Sequence, residues 1–296
     1  MKSSYQRRPH WLKVRPPAGD NFHEVRRLVQ ETQLHTVCQS AHCPNIGECW
    51  GRRTATFMIL GEVCTRNCRF CAVTSGPPQP VDAQEPQRIA QAVKTLRLKY
   101  AVITSVTRDD LPDGGAHQFA QTIQEIRQQV PDCRVEVLIP DFLGVKESLI
   151  KVLEARPTVL NHNLETVPRL YEIVRPEADY QRSLTLLKRA KTSGVTTKSG
   201  LMVGLGETMD EIQQVMHDLR AVQCDLLTIG QYLEPSRDHL PIARFVPPEE
   251  FQQLKAYGLA LGFKMVAAAP LVRSSYQADL ALKLPVEASA DINESL

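Results

Sequence analysis

The chain has 296 residues, 43% of them hydrophobic, which suits one large α/β domain. Its 35 lysines and arginines nearly balance its 33 acidic residues, so the net charge of +2 gives no argument for nucleic-acid binding. No apolar run reaches the ~18 residues of a membrane span and no signal-peptide pattern is present, so we expect a cytoplasmic protein that does not enter a membrane.

The N-terminal part of the chain is basic and carries three clustered cysteines. Residues 1–30 hold seven lysines and arginines against two acidic residues, a balance of +5 that leaves −3 for the remainder. After a proline-rich stretch, the sequence CQSAHCPNIGEC places Cys38, Cys43 and Cys49 in a C-x4-C-x5-C pattern. In a reducing compartment, clustered thiols indicate metal ligands rather than disulfides.

Strands and helices alternate through the middle of the chain. Short runs rich in β-branched residues, typical of buried parallel strands, begin near residues 56, 100, 134, 158, 197 and 225. Segments with helical spacing lie between them, and a final helix near residue 247 precedes a last strand, KMVAAAP. This alternation predicts right-handed β-α-β units in a parallel barrel or an open sheet.

Polar loops follow the predicted strands. In parallel barrels the chemistry lies at the carboxyl ends of the strands. The segment CTRNCRFC (64–71) follows the first strand, TRDDLPDGG the second, and NLET and GETMDE two later ones, so we expect all of them to face one mouth. The last segment, PVEASADINESL, is typical of a solvated acidic tail.

The second group of cysteines has C-x3-C-x2-C spacing. A [4Fe–4S] cluster takes one thiolate per iron, so Cys64, Cys68 and Cys71 would leave one iron open for another ligand. Catalytic metal sites keep such an open position, whereas structural sites close. Structural zinc is an alternative, although no second C-x2-C knuckle or histidine pair follows. A two-cluster electron carrier and a zinc-stabilised binding module therefore remain open at this point.

The C-x3-C-x2-C loop after a first strand, with Phe70 just before the last cysteine, resembles the radical S-adenosylmethionine (radical SAM) superfamily. The resemblance implies a partial parallel (β/α)6 TIM-like barrel, here with N- and C-terminal extensions. It also implies that SAM binds the open iron through its amino and carboxylate groups. An electron from the cluster would then cleave SAM to a 5′-deoxyadenosyl radical, which removes hydrogen from an unactivated carbon.

The other motifs narrow the resemblance to the lipoyl synthase family. They are the first triplet, VRSSYQA near the C-terminus, VTRDDLPDGGA, NHNLETVPRLY, KSGLMVGLGET and IGQYLEPS. The resemblance implies that Cys38, Cys43 and Cys49 bind an auxiliary [4Fe–4S] cluster, with Ser275 as the fourth ligand and Ser274 as the alternative. An alkoxide is a hard ligand for soft iron, so this corner should be easy to release. That suits a cluster consumed as the source of two sulfur atoms.

The resemblance also implies contacts to SAM. Phe70 would contact adenine, and Thr107, Arg108 and Asp109 would lie near the methionine end. Asn163 and Glu165 would reach the ribose hydroxyls, and Gly204 would relieve crowding where the backbone meets SAM. Helix capping is the alternative for Asp109 and Glu165, because each opens a loop before a helix.

The resemblance implies a sulfur-inserting transferase of lipoate biosynthesis that acts at C6 and C8 of a protein-bound octanoyl-lysine. Its expected partners are an octanoylated carrier, either a lipoyl domain of a 2-oxoacid dehydrogenase E2 or a glycine cleavage H protein, a ferredoxin or flavodoxin as reductant, and an iron–sulfur carrier. Another radical SAM sulfur-inserting enzyme, such as biotin synthase, is the nearer alternative, but that family lacks the N-terminal triplet. We expect an extension over 1–52, the partial barrel over 53–270 and a C-terminal segment over 271–296.

Overall fold

The computed structural model describes residues 7–14 and 16–279, so Arg15 and the predicted acidic tail lie outside the described residues. The strands within this part of the chain are β1 (His35–Thr36), β2 (Thr56–Ile59), β3 (Val63–Cys64), β4 (Thr74–Ser75), β5 (Tyr100–Ser105), β6 (Arg134–Leu138), β7 (Val159–Asn161), β8 (Thr196–Val203), β9 (Leu226–Gln231) and β10 (Met265–Ala268).

The α-helices of the same residues are α1 (Asp20–Glu31), α2 (Val37–Ser40), α3 (Ile46–Gly51), α4 (Glu85–Thr95), α5 (Ala116–Gln129), α6 (Lys146–Glu154), α7 (Tyr171–Val174), α8 (Tyr180–Thr192), α9 (Met209–Ala221) and α10 (Pro248–Ala260). Short 3₁₀ turns cover His10–Leu12, Phe142–Gly144 and Pro168–Leu170. Helix α1 and the edge strand β1 were not among the predicted elements.

One eight-stranded sheet has the order β1-β2-β5-β6-β7-β8-β9-β10, and β3 pairs separately with β4. The pairings from β2 to β10 are parallel, whereas β1 joins β2 antiparallel. Six strand–helix repeats followed by a last strand confirm the predicted alternation. Within the described residues β10 does not pair with β1, so the sheet remains open.

Strand β5 shows why the strands are apolar on both faces. Ala101 and Ile103 pack into the core beneath the helices, while Tyr100, Val102 and Thr104 line an interior cavity. Alternate residues of a strand point to opposite faces, and both faces of a parallel sheet are covered. Because side chains from β2 to β9 line the same cavity, the sheet is curved into a partial barrel.

The N-terminal helices pack on the outside of the first strands. The Phe22 ring of α1 lies 5.4 Å from the Trp50 ring of α3, and both side chains are buried in one core cluster with Phe57 of β2. This packing holds the segment between α1 and β2, which carries the first cysteine triplet, against the barrel. Across residues 7–14 and 16–279, no helix combines the length and apolarity needed to cross a membrane.

Candidate functional site

A cavity of about 610 Å³ lies inside the partial barrel and reaches the carboxyl ends of its strands. Both cysteine triplets line it, although they lie in different parts of the sequence. The lining cysteines are Cys38, Cys43, Cys49, Cys64, Cys68 and Cys71. All six are free thiols. The cavity therefore presents two groups of three soft ligands to a common space.

The cluster loop, residues 64–71, is held by backbone hydrogen bonds. Cys71 N–H donates to the carbonyl of Cys68 at 3.0 Å, and Gly76 N–H donates to the carbonyl of Cys64 at 2.9 Å. The Cys64 sulfur accepts N–H groups from Arg66 at 3.4 Å and from Thr107 at 3.3 Å. Thr107 also lines the cavity. Hydrogen bonds to sulfur are one of the features that set the potential of an iron–sulfur cluster.

Arg66 anchors this loop to the two following strands. Its guanidinium donates to Asp109 at 2.6 and 3.0 Å and to Asp141 at 2.6 Å. Arg108 is buried and pairs with Asp110 at 2.8 Å. Neither Arg108 nor Asp109 lines the cavity, and the carboxylate of Asp109 anchors Arg66. Helix capping does not account for Asp109 either, because the N-cap of α5 is Gly115.

The opposite side of the cluster loop rests on segments that follow β7 and β9. Arg69 N–H donates to the carbonyl of Val174 at 3.0 Å, and the Arg69 carbonyl accepts Leu240 N–H at 3.1 Å. His239 Nε2 lies 2.9 Å from the carbonyl oxygen of Cys71. Phe70 lines the cavity and packs against a buried hydrophobic cluster that includes Leu164 and Tyr232. The cysteine backbone is thus supported on both sides by the barrel.

The end of β7 contributes polar groups to the cavity. Asn163 Nδ2 donates to Glu165 Oε1 at 2.9 Å, and Arg175 Nη1 donates to the carbonyls of Asn163 and Leu164 at 2.8 and 3.1 Å. Within the described residues, Arg175 Nε and Asn163 Oδ1 are buried without a partner. Buried polar atoms are nearly always paired, so these two atoms indicate a polar ligand.

Glu165 has a left-handed backbone with φ of 67°. Its N–H donates to the carbonyl of Gly200 and its own carbonyl accepts Met202 N–H, so it extends the pairing with β8 and is not a helix cap. A non-glycine residue in this conformation costs about 1–3 kcal/mol, a strain that concentrates at functional sites. Burial raises the pKa of Glu165, and the positive charge of Arg175 opposes that shift.

His162 also lines the cavity, and the sequence analysis did not predict it as a site residue. Burial, together with the charge of Arg175, lowers the pKa of His162 to about 4, so the ring is neutral at pH 7. Nδ1 lies 2.9 Å from the carbonyl of Ile139, which can only accept, so Nδ1 carries the proton. Nε2 lies 3.0 Å from the hydroxyl oxygen of Ser183, which also lies 2.9 Å from the carbonyl oxygen of Asp179.

The first triplet lies on α2, α3 and the turn between them. Cys43 N–H donates to the carbonyl of Cys38 at 3.0 Å, which closes this turn. Burial raises the pKa of Cys38 to about 11 and that of Cys49 to about 12. A metal must therefore displace protons from thiols that are neutral at pH 7, as thiolate coordination requires.

The C-terminal strap, residues 271–279, crosses the cavity beside this triplet. Asn45 Nδ2 donates to the carbonyl of Leu271 at 2.7 Å, and the Tyr276 hydroxyl donates to the Glu48 carboxylate at 3.0 Å. Ser274 and Ser275 both line the cavity. The strap thus brings the two candidate serines to the space that the cysteines share.

Gly204, a predicted contact of SAM, does not line the cavity. A side chain there would overlap Gln231 and would lie 2.6 Å from the carbonyl oxygen of Arg244. Its φ of 101° also favours glycine. The crowding that this glycine relieves therefore comes from the protein itself.

The donor set fits iron–sulfur clusters. Each triplet offers three soft thiol ligands, the combination that such clusters take. In residues 7–14 and 16–279, no three His, Cys, Asp or Glu side chains converge as ligands of a single metal ion would. A cluster with one thiolate per iron does not require that convergence.

Comparison with known proteins first defines the class. The profile of the Radical SAM superfamily matches residues 58–219, and that of the N-terminal domain of lipoyl synthase matches residues 1–43. Among solved structures, HydG, a maturase of the [FeFe]-hydrogenase, has a TM-score of 0.57 at 16% identity, covering 92% of this chain and 60% of that one. Streptococcus suis SuiB bound to S-adenosylmethionine has a TM-score of 0.55 at 12% identity, covering 81% and 53%. The fold and the cysteine-lined cavity are those of a radical SAM enzyme, which uses SAM and [4Fe–4S] clusters.

Sequence relatives define the family within that class. Lipoyl synthase of Chloroflexus aggregans is 58% identical over 276 residues, 93% of this chain and 90% of that protein. Lipoyl synthase of Roseiflexus sp. is 56% identical over 282 residues, 95% of this chain and 94% of that protein. The chain belongs to the lipoyl synthase family.

Sequence reasoning missed Arg66, His162 and Arg175, which position or line the site. Arg66 stands between two predicted cluster ligands, and that position was the available signal. His162 lies inside the quoted NHNLET motif, but the sequence did not show that its side chain reaches the cavity. Arg175 lies 12 residues beyond Asn163 and its sequence neighbours carry no distinctive pattern.

Proposed function

We propose that this chain inserts two sulfur atoms, at C6 and C8, into an octanoyl chain attached to a lysine of a carrier protein. The observation that supports this proposal best is that two separate cysteine triplets line one cavity. One cluster would serve SAM cleavage, and the other would supply sulfur to a substrate held between them. A cavity with a single triplet would suit hydrogen abstraction without sulfur insertion.

We assign Cys64, Cys68 and Cys71 to the cluster that binds SAM, and Cys38, Cys43, Cys49 and Ser275 to the auxiliary cluster. When bound, these groups supply the 5′-deoxyadenosyl radical and the sulfur atoms. The protein supplies the ligands, their spacing and their enclosure. Cys68 and Cys71 are partly buried, and desolvation raises the pKa values of their thiols to about 12 and 11, so their protons leave as metal binds.

The polar side chains at the end of β7, Asn163, Glu165 and Arg175, would orient SAM. Asn163 Oδ1 would accept a ribose hydroxyl and Glu165 would accept another, while Thr107 and Phe70 would bound the ligand near the cluster loop. Arg175, whose Nε lacks a partner among the described residues, would place a positive charge beside the carboxylate of SAM. These contacts hold a zwitterionic ligand in one orientation, which is the main requirement for a directed radical.

The substrate chain would lie against apolar residues of the same cavity. Met58, Val102 and Met202 are among the residues that line it. An alkyl chain gains free energy by leaving water for such a surface, roughly 0.8 kcal/mol per buried CH₂. Excluding water also protects a carbon radical from side reactions.

The proposed partners follow from the substrate. Lipoyl carrier proteins are the substrates that the family membership indicates, and we propose a lipoyl domain of a 2-oxoacid dehydrogenase E2 or a glycine cleavage H protein. A ferredoxin or flavodoxin would deliver electrons, and an iron–sulfur carrier would restore the auxiliary cluster. The exposed Arg7, Arg8 and Lys13 of the N-terminal segment give a basic surface near the cavity, which Arg8 also lines.

The test is an anaerobic assay of the reconstituted protein with SAM, a reductant and an octanoyl-lysine peptide, without added sulfide. We expect methionine, 5′-deoxyadenosine and a peptide that has gained two sulfur atoms. SAM cleavage without sulfur transfer would indicate that the chain is a radical SAM enzyme with a different reaction. No SAM cleavage, with two reducible clusters present, would favour an electron carrier.

A further inference from the structure

Asn163 links the candidate SAM site to the C-terminal strap. Its Nδ2 donates to Ser274 Oγ at 2.6 Å and to Glu165 Oε1 at 2.9 Å. Asn163 is 6% exposed, and its Oδ1 has no partner among the described residues. One end of the amide is thus committed to the strap, and the other end is free to bind a hydroxyl in the cavity.

Two glycines provide the room for this arrangement. A Cβ on Gly200 of β8 would lie 2.7 Å from Asn163 Oδ1. A Cβ on Gly230 of β9 would overlap the carbonyl oxygen of Val272 in the strap. The barrel wall therefore lacks side chains at two points where Asn163 and the strap lie against it.

The strap is tied on its other side to the first cysteine triplet. The Tyr276 hydroxyl donates to Glu48, next to Cys49, and Arg52 lies 3.3 Å from Asp279. Tyr276 N–H donates to the carbonyl of Arg273 at 2.9 Å, so Ser274 and Ser275 are the central residues of a tight turn. A change in the position of Ser274 will therefore also change the position of Ser275.

We propose that Ser274 is a positioning residue that couples occupancy of the SAM site to the placement of Ser275 at the auxiliary site. When a ligand hydroxyl donates to Asn163 Oδ1, the amide cannot rotate, and its Nδ2 stays directed at Ser274 Oγ. Without that ligand only Glu165 Oε1 and Ser274 Oγ hold the amide, and any rotation of the amide breaks its contact with Ser274. The inference rests on the proposed function for the identity of the ligand, but not on sulfur transfer.

Coupling of this kind is reciprocal. If the bound ligand stabilises the strap by some factor, the intact strap strengthens ligand binding by the same factor. The two serines therefore have different roles. Ser274 is engaged by Asn163, which leaves the Ser275 hydroxyl to the auxiliary site.

The experiment is hydrogen–deuterium exchange on the anaerobically reconstituted full chain, with and without saturating SAM and with no reductant, so that SAM stays intact. We expect SAM to slow exchange of the peptide that covers residues 271–279 by about fivefold or more, the lower end of typical coupling between sites. Ser274→Ala should abolish this dependence on SAM and weaken SAM binding, measured by equilibrium dialysis, by a similar factor.

Tyr276→Phe is the matched control, because it also removes one hydroxyl from the strap but leaves the contact with Asn163. It should speed exchange of the strap overall and keep the slowing by SAM. The inference is overturned if SAM leaves the strap of the native enzyme unchanged, or if Ser274→Ala keeps the response. Reductive SAM cleavage by the native enzyme tests the proposed function separately.

Discussion

Arg66 Nη2 lies 2.6 Å from Asp141 Oδ1, and both side chains are buried, at 4% and 0% exposure. Arg66 stands between Cys64 and Cys68, whereas Asp141 follows β6. Asp141 also accepts from Arg182 at 3.0 Å, so one carboxylate joins the cluster loop to helix α8. Two charges at these positions fix a loop that backbone hydrogen bonds alone would leave easier to displace.

Replacing Asp141 with Asn should destabilise the protein. Burial alone would raise the pKa of Asp141, but the hydrogen bond and charge of Arg66 lower it to about 2. Its stabilising contribution is therefore fully present above the unfolded pKa of about 3.9 and is lost as pH falls towards 2. We expect Asp141→Asn to reduce the free energy of unfolding by about 3 kcal/mol at pH 7, as for other broken buried ion pairs. Anaerobic urea unfolding followed by circular dichroism measures this.

The control for Asp141 is Asp82→Asn, which breaks an ion pair of similar length with Arg88 at the surface. Exposed pairs contribute less than about 1 kcal/mol. The unfolding free energy of Asp141→Asn should also change less than that of the native protein between pH 4 and pH 2. Equal losses for the two variants would contradict the anchoring role.

Gly230→Ala should displace the strap, because the added methyl group overlaps the carbonyl of Val272. A shift of about 1 Å in a catalytic group can cost about 100-fold in rate. We expect lipoyl formation on the octanoyl-lysine peptide to fall by at least about tenfold. Gly51→Ala is the control, since nothing lies within 4 Å of that position, and it should retain activity. Unchanged activity of Gly230→Ala would show that the strap tolerates displacement.

Cys68→Ala should abolish SAM cleavage and leave about half the iron, because a methyl group cannot replace a thiolate and the other cluster has its own ligands. Iron content and 5′-deoxyadenosine are the measurements. Cys133→Ala is the matched control, because Cys133 is buried and does not line the cavity. It should keep both clusters and full cleavage. Cleavage by Cys68→Ala would refute the assignment of the cluster loop.

Cys43→Ala should separate the two chemistries. SAM should still be reductively cleaved, since the ligands of the other cluster are intact, but no sulfur should reach the octanoyl chain. The diagnostic result is 5′-deoxyadenosine without lipoyl product. Lipoyl formation by this variant without added sulfide would show that the first triplet does not hold the sulfur donor.

The N-terminal basic residues should help to dock an acidic carrier. Glutamine at Arg7, Arg8, Lys13 and Arg15 should weaken carrier binding most at low salt, because exposed charges are screened beyond ~8 Å at physiological ionic strength. Turnover of the short octanoyl-lysine peptide should change little. The measurement compares carrier protein and peptide across a salt series.

A second charge variant controls for net charge alone. It replaces four exposed basic residues that do not line the cavity, Lys94, Arg97, Lys99 and Lys188. Carrier binding by this variant should stay close to the native value. Equal losses on carrier and peptide in the N-terminal variant would show that the segment supports the fold or a cluster.

The sequence by itself determined the strand–helix alternation, the two triplets and the loops that carry them. These features depend on local periodicity and spacing, which are encoded within a few residues. Short motifs also identified Phe70 and Glu165, which line the cavity in the folded chain.

Only the tertiary structure decided which groups meet across the fold. Asn45 and Leu271 form a hydrogen bond although 226 residues separate them, and no local pattern encodes such a contact. For the same reason the contact of Asp109 with Arg66, the room that Gly200 leaves for Asn163 and the room that Gly230 leaves for the strap are visible only in the folded chain. Side-chain direction at a strand end depends on how the neighbouring loops pack, and that packing exists only when the barrel is assembled.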